Sequence, residues 1–274
     1  MTITLLKHEY LRTRTLLGLL LGGGLLIVAV ATLFALMNWP VLSELGVALG
    51  LGITFLFLPV TQIALAIDYW RSSYRQLGYF TQSIPVKGST IFWAKMLWTW
   101  LASLAAMAVT VVSAAIFWTA FGPMVGLTGN PFTMLGSALD FVSQYASAGM
   151  ITGLAIAFVL QMLVWPVQYF FCASIGSEAP LNRLGVGGPI VTLVTFYFVT
   201  QIITTLFIML VPIGLGIEGG SLAFVGFESN FFEAFSGNGN DDVMPLGFVP
   251  ALALIAAVCL WRTHYSWNRK VSLV

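Results

Sequence analysis

Charge is what this sequence has least of. Asp, Glu, Lys and Arg make up only 8% of its residues, against about 25% in a soluble domain. Hydrophobic residues reach 59%, and apolar runs long enough to cross a bilayer recur along the chain. Together these exclude a water-soluble globular protein. Cysteine is nearly absent: Cys172 and Cys259 lie in or beside apolar runs without a CxxC or CxxH pattern, which reads as two buried free thiols. His8 and His264 are the only histidines, far from any acidic pair, and HExxH and GxSxG are missing. A metal centre or a hydrolase is therefore not expected. Without a Walker A motif the chain cannot be its own ATPase. Ionisable side chains are missing from every apolar run, which argues against a self-sufficient proton antiporter. Sodium coupling through backbone carbonyls stays open. There is no low-complexity tract and no soluble domain of useful size, and no nucleic-acid partner is expected.

What is present is a ladder of apolar spans, expected over residues 16–37, 47–67, 96–121, 150–171, 189–213 and 245–261. Before the first, residues 1–15 place Ile3, Leu6 and Tyr10 on one helical face and Lys7 and Arg14 on another. That pattern predicts an amphipathic helix lying at the membrane surface. The first run is too long for a signal-peptide core of about 7–15 residues, so a retained span is expected. Gly22, Gly23 and Gly24 within it lack a GK[ST] ending and read as a site of close helix packing. Pro59 and Pro166 read as kinks.

All eleven Lys and Arg residues fall on one side of this six-span ladder, and seven of the ten acids fall on the other. The positive-inside rule makes the basic side cytoplasmic, with both termini inside the cytoplasmic membrane. Residues 122–149 contain no base. Within them Asn130-Pro131 predicts a helix start, and Phe132, Leu135, Leu139 and Val142 repeat at helical spacing. A short helix lying on the outer surface is expected there. Residues 214–244 carry Glu218, Glu228, Glu233, Asp241 and Asp242 without a base. Their apolar patches suggest pieces that dip into the membrane or pack on helix ends.

Residues 68–95 are the longest polar interruption on the basic side. Trp70, Tyr74, Leu77, Thr81 and Ile84 form a helical stripe, with Arg71, Arg75 and Gln82 on another face. Pro85 should stop this helix, Ser89 can cap the next, and Lys95 can snorkel from the start of the third span. Arg and aromatic residues are favoured interface anchors, so Trp70, Arg71, Tyr74 and Arg75 suit docking of a partner protein. A basic helix held by anionic lipid is the competing reading. Polar groups inside the spans are Thr61, Gln62, Gln161, Gln168, Gln201, Thr204 and Thr205. They read either as interhelical hydrogen bonds or as the lining of a substrate path. Tryptophans near span ends, Trp165 among them, read as an aromatic belt.

Two stretches resemble the ABC-2 type permease family, the membrane subunits of ATP-binding cassette exporters. KHEYLRTR is similar to the family's surface helix through Lys7, Glu9, Arg12 and Arg14. LGYFTQSIPVKGSTIFWAK is similar to its post-span-2 pattern through Gly78, Ile84-Pro85-Val86, Lys87 and Lys95. In topology the resemblance covers nearly the whole chain. It implies an all-α polytopic fold of six helices, and a coupling helix over about residues 69–84 that sits in a groove of an ATPase subunit. Gln76, Gly78, Pro85 and Lys87 then join the docking surface. It also implies ATP and Mg²⁺ on that separate partner, a second permease copy or paralogue, and no catalysis by this chain. The family's Glu-rich run is replaced here by residues 71–76, RSSYRQ, with only Asp68 acidic nearby. The subfamily, and with it the cargo, stays open. A stand-alone carrier or flippase and a non-transporting immunity or sensor module are the alternatives.

Overall fold

The computed structural model describes residues 2–37, 39–75, 78–127, 129–226 and 243–269. Gln76, the acidic residues Glu228, Glu233, Asp241 and Asp242, and Lys270 lie outside them. Six helices are long and apolar enough to cross a membrane: Thr2–Leu36, Pro40–Tyr74, Gly88–Met124, Ala148–Ile175, Gly187–Leu210 and Phe248–Asn268. The chain is an all-α polytopic membrane protein, as its composition predicts. It divides into two compact units, Met1–Ser137 and Ala138–Val274.

In the first unit, α1 (Thr2–Leu17) runs through a π-helical turn, Gly18–Gly22, into α2 (Gly23–Leu36). The helix expected over residues 1–15 is present, and it runs without a break into the first span. Leu17 and Gly23 both keep right-handed helical dihedrals, so nothing breaks the backbone. The i, i+4, i+8 face of Glu9, Thr13 and Leu17 is buried, and α1 packs on α5 (Gly88–Met124). Glu9 and Thr13 find their partners inside the protein.

Lipid tails are as apolar as leucine, so spans associate through close packing of small residues. The pair of α2 and α3 (Pro40–Tyr74) shows this. A Cβ on Gly46 would lie 2.5 Å from the Ala35 nitrogen and 2.6 Å from the Ala31 oxygen. Val28, Ala35, Phe57, Phe117 and Ala120 then form a buried cluster from α2, α3 and α5. Of the glycine triplet, only Gly24 makes the expected close approach, with its Cβ position 2.5 Å from the Phe57 ring. Pro59 sits inside α3 without ending it.

The stripe expected to make one helix over 69–84 makes two. Helix α3 ends at Tyr74, Arg75 is extended (φ −102°, ψ −163°), and α4 covers only Gly78–Ser83. A helical period alone cannot report this break. The break lets α4 fold back on α3, where the Thr81 hydroxyl donates to the Ser72 carbonyl at 2.7 Å. Helix α5 is entered through Lys87 at its N-cap without a side-chain cap bond, so Ser89 does not cap it.

The division between units falls within α6 (Pro131–Ser143). Its start is as expected: Asn130 Oδ1 accepts from the Phe132 amide at 3.0 Å. The second unit builds on α7 (Ala148–Ile175), α8 (Gly187–Leu210) and α9 (Phe248–Arg269). Helix α7 packs on both others, and α8 packs on α9. Pro166 lies inside α7. Cys172 and Cys259 are buried and free.

Between α8 and α9 the chain forms β1 (Ile213–Glu218), β2 (Ser221–Gly226) and β3 (Val243–Pro245). They make one antiparallel sheet in the order β2-β1-β3. No strand is expected here from the sequence, and of the two apolar patches read in this loop the one at 231–235 lies outside the described residues. Gly219 and Gly220 supply two successive positive φ values, 60° and 81°, the geometry a two-residue hairpin demands. The sheet does pack at a helix end, with the Leu222 amide donating to the Tyr145 carbonyl at 2.6 Å.

Candidate functional site

At the basic end of the first unit, four charged side chains form one network. Arg12 Nη2 reaches Glu9 Oε2 and Asp68 Oδ2, each at 2.5 Å. Lys95 Nζ takes the other Glu9 oxygen at 3.0 Å and donates to Ser72 Oγ at 2.9 Å. Lys95 is 3% exposed, so the expected snorkelling is corrected: its side chain turns inward to a buried carboxylate. Trp98 Nε1 donates to Thr13 Oγ1 at 2.8 Å. The network thus joins α1, α3 and α5, and Ser72 extends it to α4 through Thr81.

The docking candidates spread over this base. Arg71 and Lys87 are exposed, as is Pro85. Tyr74 is buried, its ring edge-on to Tyr69 with centroids 5.9 Å apart. Arg75 is half-buried with its guanidinium 4.7 Å from the Trp70 ring centroid, a contact worth about 0.5–1 kcal/mol. Gly78 is buried at the α4 start. The exposed aromatic tip is instead Tyr79 and Phe80, 55% and 74% exposed. These two follow Gly78 directly but stand off the stripe that periodicity selects.

The second unit has its own clasp. Glu178, just beyond α7, receives Arg262 of α9 on both oxygens at 2.9 and 2.7 Å. Ser266 donates to it at 2.6 Å. A lysine has no planar fork to fill both positions. Arg262→Lys is expected to cost about 1–2 kcal/mol, read as a lower thermal midpoint in detergent. An unchanged midpoint would show that the paired geometry contributes nothing.

Four of the six residues expected to line a substrate path meet in one cavity of about 260 Å³ in the second unit: Gln161, Gln168, Gln201 and Thr204. Positions 161, 165 and 168 of α7 face positions 197, 200, 201 and 204 of α8, so each helix contributes one helical stripe. Apolar walls come from Leu193, Phe196, Phe248 and Leu252. The sequence reading missed Thr200, Tyr169 and Tyr197 in this lining. The i, i+4 spacing of Thr200 and Thr204 was the available signal. Trp165, read as a belt residue, also lines the cavity, with its ring 6.2 Å from that of Tyr169. Thr205 is exposed. Thr61 and Gln62 belong to the first unit, both buried. There Gln62 Nε2 donates across to Ser103 of α5 at 3.4 Å, a contact between helices.

Among the described residues, the cavity lining contains no Asp, Glu, Lys, Arg or His. Among the described residues, no three His, Cys, Asp or Glu side chains gather as a metal site. No family model, curated protein or solved structure matches the chain.

Proposed function

We propose that this chain is the permease subunit of an ATP-driven exporter of the ABC-2 type. It sits in the cytoplasmic membrane with both termini inside and moves an amphipathic or lipophilic cargo by alternating access. ATP and Mg²⁺ bind a separate ATPase subunit, and the working unit contains a second permease copy or a paralogue. One observation carries this reading. The connection from Arg75 to Lys87 exposes Tyr79 and Phe80, and Arg71 and Lys87, which flank it in sequence, are exposed as well. Its base is fixed through Thr81 and Ser72 to the Glu9–Lys95 network. A push on such a tip is passed to α1, α3 and α5 together. The segregation of all eleven basic residues to one side supports the orientation. Because the lever is α4 on a tied base, its moving part is shorter than a helix over 69–84.

The test is affinity purification of the tagged chain in mild detergent, with co-purifying proteins identified by mass spectrometry. A stoichiometric Walker-motif ATPase is expected. It should be lost when Arg71→Glu and Lys87→Glu are combined with Phe80→Ala, exposed changes that leave the buried network intact. Retention of the ATPase by this variant would overturn the docking assignment. A chain that transports alone in liposomes would instead favour a stand-alone carrier or flippase.

A further inference from the structure

The cavity of the second unit holds polar groups that the fold itself leaves unanswered. Thr192, on the same helix α8, donates its hydroxyl to the carbonyl four residues back at 2.9 Å. Thr13, Thr32 and Thr99 do the same on their own helices. That is the ordinary way for a threonine in a span to satisfy itself. Thr200 and Thr204 depart from it: both hydroxyls are buried without a hydrogen-bond partner, as are those of Thr54, Thr61 and Thr263, and of these five only Thr200 and Thr204 line this cavity. An unanswered polar group in an apolar surrounding is costly, so something other than this chain should meet these two.

The rest of the lining narrows what that is. Gln161, Gln168 and Gln201 each carry two N–H donors and one carbonyl acceptor, and Gln201 gives one N–H to the Tyr197 hydroxyl at 3.4 Å. With no charged group among the described lining residues, an ionised ligand would find no opposite charge there. A side-chain carboxamide pairs with a primary carboxamide through two coplanar bonds, one given and one received, and with a trans peptide group through one bond to either its N–H or its C=O. Trp165, Phe196 and Leu252 provide flat and aliphatic walls. The volume of about 260 Å³ falls just under the roughly 300–1,000 Å³ of drug-sized sites, so one or two residues fit rather than a whole peptide.

We infer that α7, α8 and α9 form a binding site for an uncharged amide-bearing group on an apolar body, of the kind a blocked hydrophobic dipeptide presents. Gln161 and Gln201 read its amides, and the Thr200 and Thr204 hydroxyls complete the hydrogen bonding. The site rests on the export reading only for calling its ligand a cargo. Binding itself needs neither nucleotide nor ATPase.

The test is equilibrium dialysis of radiolabelled N-acetyl-Leu-Phe-amide against the full chain in a nonionic detergent, without nucleotide. Saturable binding is expected, with the zwitterion Leu-Phe at least about tenfold weaker because its charges find no partner. Thr200→Val with Thr204→Val should weaken binding about tenfold. The same pair should leave the thermal midpoint equal or higher, since it removes two orphaned hydroxyls. Gln201→Leu should weaken binding similarly. If that variant does not fold, the threonine pair decides alone. Uptake that only tracks detergent concentration, equal binding of the zwitterion, or wild-type affinity in the threonine pair would each overturn the site. Saturable binding by a chain that captures no ATPase would sink the export reading and leave the site standing. Capture without binding would do the reverse.

Discussion

Glu9→Ala is expected to destabilise the protein by about 3–5 kcal/mol, the range for stranding one partner of a buried ion pair. Glu9 holds Lys95 on one oxygen and Arg12 on the other. Lys95 is 3% exposed, so it cannot reach water when the carboxylate goes. Its remaining partner, Ser72, is neutral. Lys95→Met should be milder, because Glu9 keeps Arg12. The double variant Glu9→Ala with Lys95→Met should lose less than the two single losses summed, with a coupling of about 0.5–3 kcal/mol. Thermal unfolding of the four proteins in one detergent gives the cycle. If Glu9→Ala unfolds within about 0.5 kcal/mol of the wild type, Lys95 does not depend on Glu9 and the network is not what anchors α4. Replacing both charges by apolar groups also separates stability from coupling. The double variant should fold, yet any force on α4 would reach α1 through one less connection.

Gly188→Ala is the second large effect expected, and it acts on the backbone. A Cβ at Gly188 would stand 2.1 Å from the Gly176 carbonyl oxygen and 2.8 Å from that of Leu181. From the opposite side, a Cβ at Gly176 would meet the Pro189 nitrogen at 2.4 Å. Here the end of α7 and the start of α8 touch main chain to main chain, and no side chain can swing aside. A loss of about 3 kcal/mol or more is expected, seen as poor yield and a lower midpoint. Gly23→Ala is the matched control. Gly23 has right-handed helical dihedrals, and no atom lies within 4 Å of its Cβ position. That change should gain about 0.5–1 kcal/mol from helix propensity. Two glycine-to-alanine changes with opposite signs would confirm that contact, and not composition, decides the role of glycine here. Equal effects would refute it.

The spans were legible because a bilayer imposes a length and a polarity on them, and both are written in the sequence. Asn130-Pro131 gave the α6 start for a similar reason, as capping is a local event. What escaped was tertiary. Glu9 and Lys95 are far apart in sequence, and periodicity cannot show that their side chains turn toward each other. It gave Lys95 a route to the interface that packing then closed. The break at Arg75 escaped because the apolar stripe continues through it in sequence while the chain turns. The cavity was half legible. Gln161, Gln168, Gln201 and Thr204 could be named as polar groups in apolar runs. Their meeting, and the separate placement of Thr61 and Gln62 in the first unit, required the fold. The hairpin carried a readable signal, Gly219-Gly220 between two short apolar stretches, which acidic composition overshadowed.

That hairpin also fixes a waterline. Its outer strands β2 and β3 each ladder to β1 alone among the described residues, so each turns a row of peptide groups outward, of which the Leu222 amide meets the Tyr145 carbonyl. Hydrocarbon tolerates no exposed strand edge, so a sheet whose edges stay uncovered has to lie above the lipid tails. Leu210, the last residue of α8, and Phe248, the first of α9, border this sheet. Their spans thus have a ceiling set by main-chain polarity, independent of any charge count. A spin label at Ser221 should report fast collisions with a water-soluble relaxant and slow ones with oxygen, and a label at Leu193 the reverse.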